Sequence, residues 1–215
     1  MADVNIFWFR RDLRLHDNAG LYHALKGELP VLPLFIFDRN ILDQLEEKAD
    51  ARVQFIRDTL VTLQEELGRR GSGMEVLYGQ PEEAFETVLS KYYVRGVFTN
   101  CDYEPYARQR DETIGKLLAS RGISFHAFKD HVIFDRDEIL KDDGTPYTVY
   151  TPYSKRWKAK VNAYYLRSYP VERYLGNLYQ HAGGRVPSLA SMGFKPSDMP
   201  IPPNEVHTET LKKYE

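Results

Sequence analysis

Val4-Asn5-Ile6-Phe7-Trp8-Phe9, running straight into Arg10-Arg11-Asp12, is the stretch on which the fold turns. A short, nearly continuous apolar run suits a strand buried on both faces of a parallel sheet. Two arginines and an acid at once after it are unusual for a plain connection. The same kind of run recurs at Val31-Leu32-Pro33-Leu34-Phe35-Ile36-Phe37. Further strands are expected at Met74–Tyr78, Gly96–Asn100 and Ile123–Phe128.

Between these runs the period changes. Val53, Ile56, Leu60, Leu63 and Leu67 fall on one face of a long helix, and Gly71 and Gly73 supply its stop. Pro81-Glu82-Glu83 opens another helix, with proline in the first turn and acids at the positive end of the dipole. Pro105 opens a third, with Ala107, Ile114, Leu117 and Leu118 inward and Gly122 at its end. Asn18 or Asp17 caps a shorter helix through Leu21 and Leu25. The order is β-α-β-α-β-α-β-α-β over residues 3–130. It predicts an α/β fold: a doubly wound five-stranded parallel sheet with helices on both faces.

Residues 131–150 read as a short strand and a turn at Asp143-Gly144. Thr151 to Tyr164 reads as a helix carrying Lys155, Arg156, Lys158 and Lys160. Beyond Tyr169 the chain turns rich in Pro, Gly and Ser. The division is therefore a domain over 1–165 and a connector over 166–215. Eight of the fifteen tyrosines lie between Tyr147 and Tyr179.

The 215 residues are 42% hydrophobic and 28% charged, with net charge −2. That suits a soluble globular protein and excludes a uniformly basic nucleic-acid binder. Cys101 is the only cysteine, so no intrachain disulfide forms, and no zinc spacing is present. No run is long enough to span a membrane. The expectation is a cytoplasmic, monomeric chain without membrane partners.

Ligands of an open parallel sheet bind beyond the carboxyl ends of its strands. Here those ends carry Arg10-Arg11-Asp12, Asp38-Arg39-Asn40, Gly79-Gln80 and Asn100-Cys101-Asp102-Tyr103-Glu104. Neither G-x-G-x-x-G nor G-x-x-x-x-G-K-[ST] occurs, which speaks against a pyrophosphate cradle. Plainer readings stand beside the functional ones. Arg10 and Arg11 could pair with Asp12 and Asp38. Arg52, near a helix N-terminus, is either a surface residue or waits for an outside partner. Asp102 and Glu104 could cap the helix at Pro105. Cys101 is read as a small packed residue, the Lys155–Lys160 run as a solvated face, and Trp157 as a packing anchor.

Three segments carry a family resemblance. Phe7-Trp8-Phe9-Arg10-Arg11-Asp12-Leu13-Arg14-Leu15-His16-Asp17-Asn18 resembles the opening of the photolyase/cryptochrome family. Asn100-Cys101-Asp102-Tyr103-Glu104-Pro105-Tyr106-Ala107-Arg108-Gln109-Arg110-Asp111 resembles its second signature. Pro146-Tyr147-Thr148-Val149-Tyr150-Thr151-Pro152-Tyr153, followed by Trp157, resembles its third. The order and spacing are the family's. The resemblance implies a Rossmann-like antenna domain whose bound chromophore passes excitation to FAD in a C-terminal helical domain. There the flavin splits pyrimidine dimers in flipped-out nucleotides of UV-damaged DNA.

The family's FAD segments have no counterpart before Glu215. The chain by itself is therefore expected neither to bind FAD nor to repair DNA, and Tyr147–Tyr179 is expected to lose order without the half on which its exposed aromatics would pack. The Glu104-Pro105-Tyr106 form, with Ala107 where folate-binding members carry an acid, resembles members with a deazaflavin or flavin antenna. The implied chromophore-binding residues are Arg11, Phe35, Asp38, Arg52, Cys101, Asp102 and Glu104, with Phe37 as a further apolar wall. A cryptochrome-type photoreceptor and an adenine-nucleotide-binding α/β module are the alternatives. A third, nucleic-acid binding through the Lys155–Lys160 helix, would give salt-sensitive DNA affinity, which is expected to be negligible.

Overall fold

Alternate residues of the first strand, β1 (Asp3–Phe9), enter different hydrophobic layers in the computed structural model, which describes residues 3–135, 137–200 and 208–214. Phe7 and Phe9 join one layer; Val4, Ile6 and Trp8 join the other. β2 (Val31–Asp38) repeats the split, with Val31, Phe35 and Phe37 on one side and Leu32, Leu34 and Ile36 on the other. This is the period of two expected of a strand covered on both faces.

The other strands are β3 (Glu75–Gly79), β4 (Tyr93–Asn100) and β5 (Ser124–Phe128). All pairings are parallel, in the order β3-β2-β1-β4-β5. The helices α1 (Ala19–Leu25) and α3 (Ala51–Gly68) cover the first layer. α4 (Pro81–Lys91) and α5 (Pro105–Ala119) cover the second. One-turn α2 (Arg39–Leu42) follows β2 directly. The doubly wound sheet predicted from the sequence is therefore the observed one. Its strand order reverses between β1 and β4, which is where such sheets open a crevice.

Local chemistry sets the ends. Asn18 caps α1, its side chain accepting the Leu21 N–H at 3.1 Å. α3 and α5 both close with a left-handed glycine, Gly71 at φ 75° and Gly122 at φ 70°. The N–H groups of Ser72 and Ile123 then reach back to Leu67 and Leu118.

Three expectations need correction. The described residues of 131–150 form no strand: Leu140 and Pro146 make an isolated bridge around a turn at Gly144. The segment has only itself to pair with, and a two-sided ladder that short does not propagate. The helix read over 151–164 is α6 (Tyr150–Lys160), and it stops well before Tyr164. It buries no residue, so no packing supports a further turn. Its anchors are Trp157 edge-on to Phe134 at 5.6 Å and Lys160 Nζ on Glu138 O at 2.6 Å.

The third correction concerns the expected loss of order over Tyr147–Tyr179. Tyr150 and Tyr164 are indeed 77% and 68% exposed. Tyr169 and Tyr174, however, pack on Tyr22 of α1. Val171, Leu178, Met192 and Phe194 beyond them are buried in the first layer. Backbone bonds hold this strap: Tyr179 N to Val31 O, and Gly184 N to Met74 O, both 2.8 Å. Weak periodicity there reflects irregular backbone, not weak packing. A last helical turn, α7 (Thr208–Leu211), runs into a 3-10 turn over Lys212–Tyr214, where the described chain ends. No helix among the described residues is long and apolar enough to cross a membrane.

Candidate functional site

The carboxyl ends of β1 and β2, the start of α3 and the loop from β4 into α5 enclose a cavity of 370 Å³. Six of the seven residues singled out in the sequence line it: Arg11, Phe35, Asp38, Arg52, Asp102 and Glu104, together with Phe37. Cys101 does not. Its N–H still bonds Phe128 O at 2.7 Å, in register with β5 and on the side of β4 away from β2. The walls are apolar, with Phe35 and Phe37 edge-to-face at 5.0 Å and Leu42, Val53 and Ile56 from the helices.

The rim charges pair, but not as the sequence suggested. Arg11 reaches Asp102 at 2.8 Å and Glu104 at 2.9 Å, not Asp12 or Asp38. Burial would lower the Arg11 pKa, but the bonds to Glu104 and Asp102 outweigh it and raise it. For Asp102 burial acts upward, and the bond from Arg11 overrides it downward. Arg10 bonds Asp111 and the Asn100 carbonyl and lies 5.2 Å over Trp8. Arg52 already has a partner within the chain. Its guanidinium forks onto Asp50, the N-cap of its own helix, which offsets the unfavourable dipole. Glu104 sits at the N-cap of α5 without a capping side-chain bond and serves Arg11, whereas Asp102 holds Arg11 and also accepts the Glu104 N–H at 3.5 Å.

Tyr106 and Arg110, polar residues of the cavity, were not among the binding residues read from the sequence. Tyr106 donates to Asp38 Oδ2 at 2.6 Å, and burial together with that bond pushes its pKa up to about 12. Asp38 Oδ1 meanwhile accepts the Asn40 N–H and caps α2. Arg110, one turn further along α5, is buried and lies 4.9 Å over Trp8 and 5.8 Å over Tyr106. A signal was present: Arg110 interrupts the apolar stripe Ala107, Ile114, Leu118, where a cation is out of place.

Behind the cavity, Asp12 accepts the side-chain amides of Asn18 and Asn100, and Gly20 N donates to Asn100 Oδ1 at 2.7 Å. Asp12, Asp130 and His131 come close enough to suggest a metal. Their oxygens are already in use: Asp130 takes Ala19 N and Arg14, both at 2.8 Å. The cluster is a brace between α1, β4 and the loop after β5. In a larger groove of 920 Å³ beside it, Lys129 pairs with Glu138 at 2.5 Å and Arg14 with Asp130 at 2.8 Å, while Arg167 lies over Tyr164 at 4.7 Å.

The sequence model of the DNA photolyase family matches residues 5–172. The chain belongs to the DNA photolyase family. It is 36% identical over 160 residues to a deoxyribodipyrimidine photo-lyase of Synechococcus, covering 74% of this chain and 33% of that protein. It is 26% identical to cryptochrome-1 of Gallus gallus, over 91% of this chain and 32% of that one. An archaeal photolyase structure from Sulfolobus tokodaii, described with two FAD molecules and a novel light-harvesting cofactor, aligns at TM-score 0.62. It shares 33% identity over 74% of this chain and 36% of its own. A class III photolyase from Agrobacterium tumefaciens shares the fold at TM-score 0.75 and 22% identity, covering 92% of this chain and 39% of its own. The chain thus spans about a third of the length of these photolyases and corresponds to their N-terminal α/β domain.

Proposed function

We propose that this is the light-harvesting domain of a deoxyribodipyrimidine photolyase, and that its cavity holds the antenna chromophore, a deazaflavin or flavin rather than a folate. The observation that carries the reading is the 370 Å³ cavity at the reversal of strand order, apolar in its walls and with a buried guanidinium among its lining. Its size lies in the range of roughly 300–1,000 Å³ typical of small-molecule pockets. A bound chromophore would supply absorption of near-UV or blue light and pass the excitation onward. The chain's own residues position the ring and exclude water: Phe35, Phe37, Leu42 and Val53 by packing, the paired rim by closing the polar side.

An adenine-nucleotide module fits less well. The helix N-termini at the cavity already carry Asp38, Asp50 and Glu104, so a pyrophosphate would meet carboxylates where it needs free N–H groups. A cryptochrome photoreceptor would share the pocket. The photolyase reading is favoured because identity is 36% to the Synechococcus photo-lyase against 26% to the Gallus cryptochrome. In this reading, repair of UV-damaged DNA belongs to an FAD-binding domain outside these residues, and the chain alone is inactive.

The test is a near-UV and blue absorption titration of the chain with an 8-hydroxy-5-deazaflavin, FMN and a reduced folate. Tight binding of a deazaflavin or flavin is expected, abolished by Leu42→Trp, which fills the cavity. If folate alone binds, and binds equally well to the Leu42→Trp protein, the proposal fails.

A further inference from the structure

Arg110 is the one cavity arginine whose charge is poorly answered among the described residues. Arg11, Arg52 and Arg10 each hold a carboxylate within 2.9 Å. The Arg110 side chain is only 7% exposed, yet its Nε and NH2 lie 3.4 Å from a single oxygen, Asp111 Oδ1, which Arg10 already uses. Its NH1 stands 3.7 Å from Asp38 Oδ2, too far for a hydrogen bond, and that oxygen is taken by Tyr106. No described residue accepts a hydrogen bond from NH1. The indole N–H of Trp8, a neighbour in the lining that is 2% exposed, also has no described acceptor. Burial, then the nearby Arg10, lower the Arg110 pKa, as for a cation short of partners. Donors on side chains this buried that lack a protein acceptor are retained where a guest in the cavity supplies one.

We propose that Arg110 is the specificity-determining residue of the cavity, donating to an acceptor oxygen, carbonyl or phenolate, of a planar heteroaromatic ring. The inference rests on the chromophore reading and deepens it, since it says which atom of the ring is recognised and by what. Walls of Phe35, Phe37 and Leu42 disfavour a hydrated inorganic anion. A positive charge only partly answered by Asp111 and Asp38 suits a neutral carbonyl or a singly charged oxygen, and is too little for a phosphate dianion. Arg110 thus joins Arg11 and Arg52, the arginines that the family resemblance implies for the chromophore.

The experiment titrates the full chain with two flat tricycles: riboflavin, which carries ring carbonyls, and acridine, which has no oxygen. Wild type should bind riboflavin more tightly. Arg110→Met should weaken riboflavin by about tenfold or more, the size of a lost hydrogen bond to a charged group, and leave acridine unchanged. Arg110→Lys should recover part of the loss, and it serves alone if circular dichroism shows the Met variant unfolded. Sodium phosphate should not displace riboflavin. Equal affinity of wild type for both rings, equal loss of both in the variants, or displacement by phosphate overturns the role given to Arg110. Binding of neither ring to wild type overturns the chromophore reading itself, and this inference with it.

Discussion

Tyr106 gives its phenolic hydrogen to Asp38 at 2.6 Å and so ties the first turn of α5 to the end of β2 across β1. The same carboxylate caps α2 through Asn40. Tyr106→Phe removes a donor to a charged acceptor, with an expected loss of about 1.5–3 kcal/mol. Urea unfolding reads it. An unchanged midpoint would show that the tie contributes nothing.

His181 and His131 should pull stability in opposite directions with pH. His181 Nε2 lies 2.9 Å from Gly73 O, and its Nδ1 accepts Gly183 N–H at 3.1 Å, an arrangement only the neutral ring can make. Burial lowers its pKa. The unfolded chain takes up that proton near pH 6.5 and the folded chain resists it, so His181 stabilises above about pH 6.5 and its contribution fades as pH falls through the lowered folded value. His131 faces Asp12 at 3.4 Å, and that bond raises its pKa. Its contribution is complete below about pH 6.5 and fades as pH rises through the raised value. Urea midpoints of wild type, His181→Gln and His131→Gln at pH 5.5 and 8 should show the gap to wild type widening with pH for the first and narrowing for the second. Parallel shifts would contradict both assignments.

Gly73→Ala should release the strap over residues 178–184. A Cβ there would meet Gly183 Cα and N at 2.5 Å, and these are backbone atoms that cannot rotate away. Gly183 itself sits at φ 71°. Destabilisation of about 1–3 kcal/mol is expected, with earlier proteolysis near residue 185. A variant as protease-resistant as wild type would mean the close approach is not needed.

Asp12→Ala leaves the side-chain amides of Asn18 and Asn100 without their shared acceptor. Asn18 also caps α1, so helix and strand should loosen together, by about 2–4 kcal/mol in thermal unfolding. Asp12→Asn keeps one acceptor and should cost less. The brace is refuted if the two variants melt alike.

The sheet was readable because its strands are buried on both faces and announce themselves as apolar runs between glycine and proline punctuation. Phe7, Phe9 and Trp8 needed no long-range knowledge. The rim was half readable. Position at a strand end identified Arg11, Asp38, Asp102 and Glu104, but which acid each arginine meets depends on distances across β1 that sequence does not carry. Arg110 was missed for the opposite reason: it sits in a helix, inside a stripe read only for its apolar members. The strap from Val171 to Phe194 was underrated because its burial comes without period, through single residues such as Leu178 and Met192.

Phe35 and Phe37 bring one hydrophobic layer to the cavity, and Trp8 and Ile36 bring the other. The opening is therefore a seam where two interiors, otherwise parted by the sheet, come into touch. Remodelling either interior at a distance would alter the shape offered to the guest. Under the proposed function, the choice of pigment could change by repacking beneath the strands, leaving every charged side chain at the edge as it stands.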